Sequence, residues 1–456
     1  MNPAPLPIAD PVADLGTLVG LHWLLLTAFL VMFMQAGFAM LETGLCRAKN
    51  ASHTFFMNFS VYFLGVLGFW AAGFAIQMGS GPSELSAMVA GRHFGLMGAE
   101  GFLLGPGAAV TGTLALFIRH MVFLDTAMTI PTGAMAERWK TANFLFYCFW
   151  MSIVVYPVFA HWVWGGGWLA ELGRNFALGH GCIDFAGSSV VHLVGGTVAL
   201  AGVAVLGPRI GKYGENGMAT PIPGHNLPMA IIGIFILGFG WFGFNTLAAT
   251  GVTVALVAVN TMLASAAGAA GAMFYTYFKI DKFEPGMTAN GFLAGLVSIT
   301  ASCAFVQPWA AVLIGLLAGL LVCVANSVVE HLFHLDDPVG AIAVHGFCGA
   351  WGLLALGLFA DGSAGDGLNG VPGGVRGLFY GDPSQLGAQV VGALACLVWA
   401  FGTAWAYFKV TDKIWGIRVN TEVELQGLDI AECGGEAYPA SSARSNRREA
   451  QWTVQR

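Results

Sequence analysis

Long apolar runs, separated by short polar or glycine-rich links, occupy nearly all of the chain up to residue 410. Eleven of them are near the length of about twenty residues that a helix needs to cross the hydrocarbon core of a bilayer. They fall roughly at 16–43, 54–78, 101–134, 142–171, 185–207, 227–248, 251–278, 287–306, 308–333, 339–360 and 385–409. The third holds Gly105-Pro106-Gly107 and Pro131, which makes it the least regular. The pattern predicts an all-α polytopic membrane protein of eleven transmembrane helices. Residues 1–410 form the transmembrane domain and residues 411–456 a polar cytoplasmic tail, too short for a catalytic domain. The last fifteen or so, rich in Ser, Arg and Gln, have the composition of a disordered end.

Composition agrees: 56% of the 456 residues are hydrophobic and 10% charged, with a mean hydropathy of +0.71. Soluble domains carry about a quarter charged residues. The 64 glycines suit membrane helices, which pack through small residues. Eight scattered cysteines form no Cys-x-x-Cys pair and no metal-spaced cluster, so they read as apolar filler. The first residues lack a basic segment and carry Asp10 and Asp14, which predicts a retained first helix rather than a cleaved signal.

Charge then sets orientation. Arg47, Lys49, Arg138, Lys140, Arg209, Lys212, Lys279, Lys282, Lys409, Lys413 and Arg418 follow odd-numbered runs, whereas Arg92, Arg174 and Arg376 follow even-numbered ones. Basic residues in short loops concentrate on the cytoplasmic side, so the N-terminus is expected outside and the C-terminus inside.

One stretch occurs twice: Asp184-Phe-Ala-Gly-Ser-Ser-Val-Val-His192-Leu-Val-Gly-Gly196 and Asp337-Pro-Val-Gly-Ala-Ile-Ala-Val-His345-Gly-Phe-Cys-Gly349. The copies open spans five and ten, so they enter from opposite faces, which predicts an inverted five-helix repeat (spans 1–5 and 6–10). Eight residues separate each acid from its histidine, about 12 Å on a helix, so both imidazoles should reach the middle third of the bilayer.

Ionisable groups within a membrane usually mark a functional pathway. A neutral imidazole offers one donor and one acceptor, and burial disfavours its charged form. His192 and His345 could therefore pass a small polar solute or a proton, and would coordinate a bare cation poorly. Two histidines without a spaced third ligand argue against a metal centre, and no residue is assigned a catalytic role. Asp184 is a helix cap, a cation attractor or both; Asp337, followed by Pro338, is a cap. Phe123, Trp164, Trp241 and Phe244 sit where an apolar conduit could be gated, and aromatic faces attract ammonium-type cations. Arg119, in an apolar run beside His120, either snorkels to the external interface or puts a fixed positive charge at the mouth.

Taken together, Gln35-Ala-Gly-Phe-Ala-Met-Leu-Glu-Thr-Gly-Leu-Cys-Arg-Ala-Lys-Asn50, Gly133-Ala-Met-Ala-Glu-Arg138, Asp184-Phe-Ala-Gly, Gly224-His-Asn-Leu-Pro228, Gly240-Trp-Phe-Gly-Phe-Asn245 and His345-Gly resemble the ammonium transporter family, Amt with its Rh relatives, and favour the Amt branch. The resemblance implies a homotrimer in the plasma (cytoplasmic) membrane, with one narrow apolar pore per subunit for the uptake of nitrogen as ammonium and of methylammonium. His192 and His345 resemble the twin pore histidines, and Phe123 and Phe244 the stacked external gate. Trp164 and Asp184 resemble the cation-recruitment site, and Trp241 and Thr300 pore-lining positions. Where that site usually has a serine this chain has Ala248, and where it often has an aromatic this chain has Arg119, which together predict weaker or redirected recruitment. The tail segments Gly416-Ile-Arg-Val, Gly427-Leu-Asp-Ile and Gly435-Glu-Ala-Tyr438 resemble a tail that couples subunits and responds to a PII-type signalling protein. The alternatives are an ammonium receptor with little flux and an Rh-like neutral gas channel; an enzyme is not expected, and no cofactor is implied.

Overall fold

The computed structural model describes residues 11–439 apart from 106, 107, 109, 250 and 252. The expectation of a disordered end lies outside the described residues, as does most of the Gly105-Pro106-Gly107 break. Among the described residues ten helices are long and apolar enough to cross a membrane: α1 (Leu15–Leu45), α2 (Ala48–Met78), α3 (Thr111–Ala134), α4 (Thr141–Trp164), α5 (Ser188–Leu206), α6 (Leu227–Thr246), α7 (Thr253–Ile280), α9 (Pro308–Leu332), α10 (Ile342–Phe359) and α11 (Pro383–Trp415). The chain is thus a multi-pass membrane protein. Between α7 and α9 lies α8 (Pro285–Ile299), with 15 residues. Residues 300–306 do not extend it, although their hydropathy suggests they should. They form turns whose Cys303 and Val306 carbonyls accept from Asn260 Nδ2 at 2.8 and 2.9 Å, so they need no helix to be satisfied.

Two further boundaries differ from the hydropathy pattern. The third helix starts at Thr111, because Gly101 (φ +85°) turns the chain into a short loop before it. The α2–α3 link carries an antiparallel hairpin, β1 (Leu85–Val89) and β2 (Arg92–Met97), joined at Ala90-Gly91 with positive φ at both residues. That geometry matches the twist of a tight hairpin, but the strands lack clean alternation, so period alone did not reveal them.

Glycine decides which helices touch. A Cβ on Gly37 of α1 would meet the Gly233 carbonyl of α6, and one on Gly233 would meet the Gly37 carbonyl. A Cβ on Gly196 of α5 would overlap the Gly346 backbone of α10, and one on Gly349 would press on the Ser188 carbonyl of α5. Corresponding helices of the two halves, first with first and fifth with fifth, therefore pack backbone against backbone.

The basic loops after α1, α3 and α5 converge on one face. Buried Glu137 binds the Arg47 amide at 2.7 Å and its guanidinium, and lies 3.3 Å from Arg209 Nη1. Arg209 closes a fork on Asp336, Nε to Oδ2 at 2.8 Å and Nη2 to Oδ1 at 2.9 Å, while Arg138 donates to the Asp336 carbonyl at 2.6 Å. The tail docks on the same face through α12 (Thr421–Gln426) and α13 (Leu428–Cys433). There Lys49 Nζ reaches the Glu424 carbonyl at 2.7 Å, Leu428 N donates to Asn50 Oδ1 at 2.9 Å, and Arg418 pairs with Glu424 at 2.8 Å. The α11 helix runs on to Trp415 before the chain turns toward this face.

Burial alone would raise the Asp336 carboxyl, but the Arg209 hydrogen bonds and the Arg138 and Arg209 charges hold it well below the ordinary carboxylate range. A carboxyl depressed in the fold contributes fully above its unfolded value of about 3.9 and loses that contribution as pH falls toward the folded value. Asp336→Asn leaves Arg209 only Glu137, and should cost about 3 kcal/mol. Thermal unfolding in detergent should show a lowered apparent Tm, and the variant should lack the part of the acid-induced loss that Asp336 causes in wild type. An unchanged melt would refute the clasp.

Candidate functional site: a column of rings through the bundle

Both copies of the repeated stretch fold alike, and the cause is their acid. Asp184 Oδ1 accepts from the Gly187 and Ser188 amides, both at 2.9 Å, and Oδ2 accepts from Ser189 N (2.6 Å), Ser189 Oγ (2.7 Å) and Val190 N (2.9 Å). Asp337 likewise holds Val339 N (3.2 Å), Gly340 N (2.9 Å) and Ile342 N (2.7 Å). Each carboxylate satisfies amides that a helix start leaves open. Gly187 (φ +121°) and Gly340 (φ +79°) supply the bend that this requires.

Capping shortens the helical rise expected from spacing. Residues 184–187 and 337–340 are loop, so each histidine lies four or five residues into its helix, about 6 Å of rise rather than 12 Å. Both sit in a turn of π-helix, Ser188–Leu193 and Ile342–Phe347, the wider winding often found at functional sites.

The crossing at Gly196 and Gly346 then brings the imidazoles together. His192 Nδ1 and His345 Nδ1 lie 3.2 Å apart, with ring centroids separated by 5.2 Å. His192 is fully buried, its ring stacks on Trp241 at 4.9 Å and 19°, and Trp241 Nε1 donates to Thr300 Oγ1 at 3.0 Å. Its other nitrogen, Nε2, is buried without a hydrogen-bond partner among the described residues. A buried polar atom left unpaired is costly, and a small hydrogen-bonding solute beside it would relieve that cost.

Rings continue in both directions. Phe244 lies 5.5 Å from His192, Phe123 lies 4.6 Å from Phe244, and Trp164 lies 5.5 Å from Phe123; on the other side Phe38 lies 6.3 Å from His345. The two phenylalanines meet at 65°, edge to face rather than stacked as expected, a favoured aromatic geometry in which one ring edge meets the other ring's face.

Beyond Trp164 a cavity of about 510 Å³ is lined by Arg119, His120, Trp164, Asp184 and Ala248 among others. Arg119 therefore lines the mouth, and its Nε has no hydrogen-bond partner among the described residues. Trp164 is held by its Nε1 bond to the Asp184 carbonyl at 2.6 Å. Both Asp184 carboxylate oxygens are committed to the cap, which leaves an incoming cation only the backbone and the ring faces nearby. His120, anchored through Nδ1 to Gln77 at 2.9 Å, also lines the mouth; nothing in its local sequence distinguishes it from a packed core histidine.

A sequence profile of the Ammonium Transporter Family matches residues 22–438. Ammonium transporter Amt2 of Archaeoglobus fulgidus is 48% identical over 422 residues, covering 91% of this chain and 87% of its own. Ammonium transporter 1 member 3 of Solanum lycopersicum is 35% identical over 449 residues, covering 93% and 94%. Among solved structures, one described as "Sensor Amt Protein" superposes with a TM-score of 0.83 at 35% identity, covering 92% of this chain and all of its own. Saccharomyces cerevisiae Mep2 superposes at 0.77 with 25% identity, covering 89% and 88%.

Asp184→Ala should strip five hydrogen bonds from the start of α5. Charge-assisted bonds contribute about 1.5–3 kcal/mol each in isolation and are not additive. A large fall in apparent Tm is expected in detergent, with Asp184→Asn recovering part of it. Wild-type melting of Asp184→Ala would contradict the capping role.

Proposed function

The chain belongs to the ammonium transporter family, and on that premise we propose that it carries ammonium across a membrane by removing the proton at the mouth and passing ammonia along the His192–His345 axis. The observation that carries this reading is the histidine pair, 3.2 Å apart in an apolar column and with an unpartnered buried nitrogen. Desolvating a bare cation costs several kcal/mol. Ammonium escapes that cost by giving up a proton, which potassium cannot do. Phe123 and Phe244 close the column toward the mouth, Trp164 offers its ring face to the arriving cation, and Trp241 with Thr300 fixes the His192 ring. Methylammonium is expected to share the route.

Arg119 and Ala248 weaken recruitment in this reading. A guanidinium in the mouth opposes a cation, and alanine supplies no hydroxyl to receive one. With α8 counted as an eleventh span, the proposed topology has the N-terminus outside and the C-terminus inside a plasma membrane. The clustering of the Arg47, Arg138 and Arg209 loops with the tail on one face supports that orientation. A homotrimer and a PII-type partner at the docked tail complete the proposal. Transport is preferred to reception because the relative 48% identical over 91% of the chain is described as a transporter.

The test is labelled methylammonium uptake with simultaneous currents in proteoliposomes, for wild type, His192→Ala and Arg119→Phe. Wild type should take up solute, and Arg119→Phe should raise apparent affinity by about 1–3 kcal/mol, about fivefold to 150-fold. His192→Ala should change the ratio of current to uptake. Binding without uptake or current in wild type would overturn transport in favour of reception.

A further inference from the structure

Past His345, on the side away from the gate, lies a second and much smaller cavity that holds a titratable group with no role in the reading above. It measures about 10 Å³ and is lined by Phe38, Glu42, Ile130, Asn290, Val339 and His345, among others. A space of roughly this size holds about one water-sized molecule. Glu42 follows Phe38 by four residues on α1, so it lies on the same helix face one turn further from the mouth. Phe38 faces His345 at 6.3 Å, which fixes where that face points.

The carboxyl is built in. Glu42 is 2% exposed, and its Oε2 accepts from Asn58 Nδ2 and Thr132 Oγ1, both at 2.6 Å. Gly133 leaves open the space this side chain fills, since a Cβ there would collide with Glu42 Cγ and Cδ. Asn58 is held in turn by a bond from Thr129 Oγ1 to its Oδ1 at 2.9 Å. With His345 Nδ1 turned toward His192, Nε2 is the nitrogen left to serve the cavity. An acid inside a membrane, oriented by two donors and sharing a one-molecule cavity with a pore histidine, is placed for proton exchange.

We propose that Glu42 is the exit-side proton acceptor of the transport cycle, exchanging with His345 through one ammonia or water molecule in this cavity. The proposal rests on the transport reading and adds the return of the proton. The proton that ammonium sheds at the mouth crosses on the imidazole pair. Protonated His345 passes it to the Glu42 carboxylate, giving neutral His345 and a carboxylic acid. Ammonia arriving in the cavity takes that proton through its lone pair, and ammonium leaves with the carboxylate restored. One charge crosses for each ammonia.

Currents and labelled methylammonium uptake measured on the same proteoliposomes, for wild type, Glu42→Gln and Glu42→Asp, test this. The ratio of charge to solute should fall at least about tenfold in Glu42→Gln and return to within about threefold of wild type in Glu42→Asp, the scale of losing and restoring one acid–base group. Infrared difference spectra on ammonium addition should show a protonated carboxyl band in wild type that Glu42→Gln lacks, a signal that a purely structural residue would not give. An unchanged ratio in Glu42→Gln overturns the proposal. So does parallel loss of current and uptake in both variants, which would make Glu42 structural. Uptake without current in wild type overturns it too while leaving transport intact, whereas neither uptake nor current in wild type overturns the transport reading itself.

Discussion

Everything at the centre of this protein depends on two backbones being allowed to touch. Gly196 and Gly346 carry no side chain where α5 crosses α10, and a single Cβ at Gly196 would push the helices apart. Only at that separation do His192 and His345 come within 3.2 Å. In a lipid environment no hydrophobic gain draws helices together, so close van der Waals packing at glycine sets the distance. Gly196 and Gly346 are thus as much part of the site as the imidazoles.

The aspartates complete the arrangement from outside the column. Asp184 and Asp337 each spend their carboxylate on the first amides of a helix, which fixes where the helix starts and how the histidine four or five residues later is aimed. The two acids hold the helix starts, and the two histidines face one another across the crossing. At the other end of the molecule, acids work by a different rule. Glu137 and Asp336 gather the arginines of separate loops into one clasp, and the tail helices settle on its surroundings.

Much of this was legible in the sequence, because membrane crossing leaves long apolar runs and the duplicated Asp-to-His stretch marks the related helices. The His192–His345 pair and the Phe244, Phe123 and Trp164 rings lie in one column. The errors have physical causes. Counting eight residues as helix overstated the helical rise between each acid and its histidine, since capping turns half of them into loop. Hydropathy extended α8 through residues 300–306, where Asn260 rather than a helix satisfies the carbonyls. The hairpin at residues 85–97 lacks the alternation that would reveal it, and nothing in the run around Glu42 signals the Asn58 and Thr132 donors that surround its carboxyl.

The central claim is that the apolar column passes a solute only after it has become neutral. Ion competition tests it most directly: ammonium-evoked transport through wild-type protein in liposomes, measured with and without potassium in about a hundredfold excess, at which a conducting cation path would be swamped. Transport of ammonium unaltered by potassium, with no current from potassium alone, is the result this account predicts. A potassium current, or ammonium transport suppressed by potassium, would mean that a hydrated or bare cation enters the column, and would contradict it.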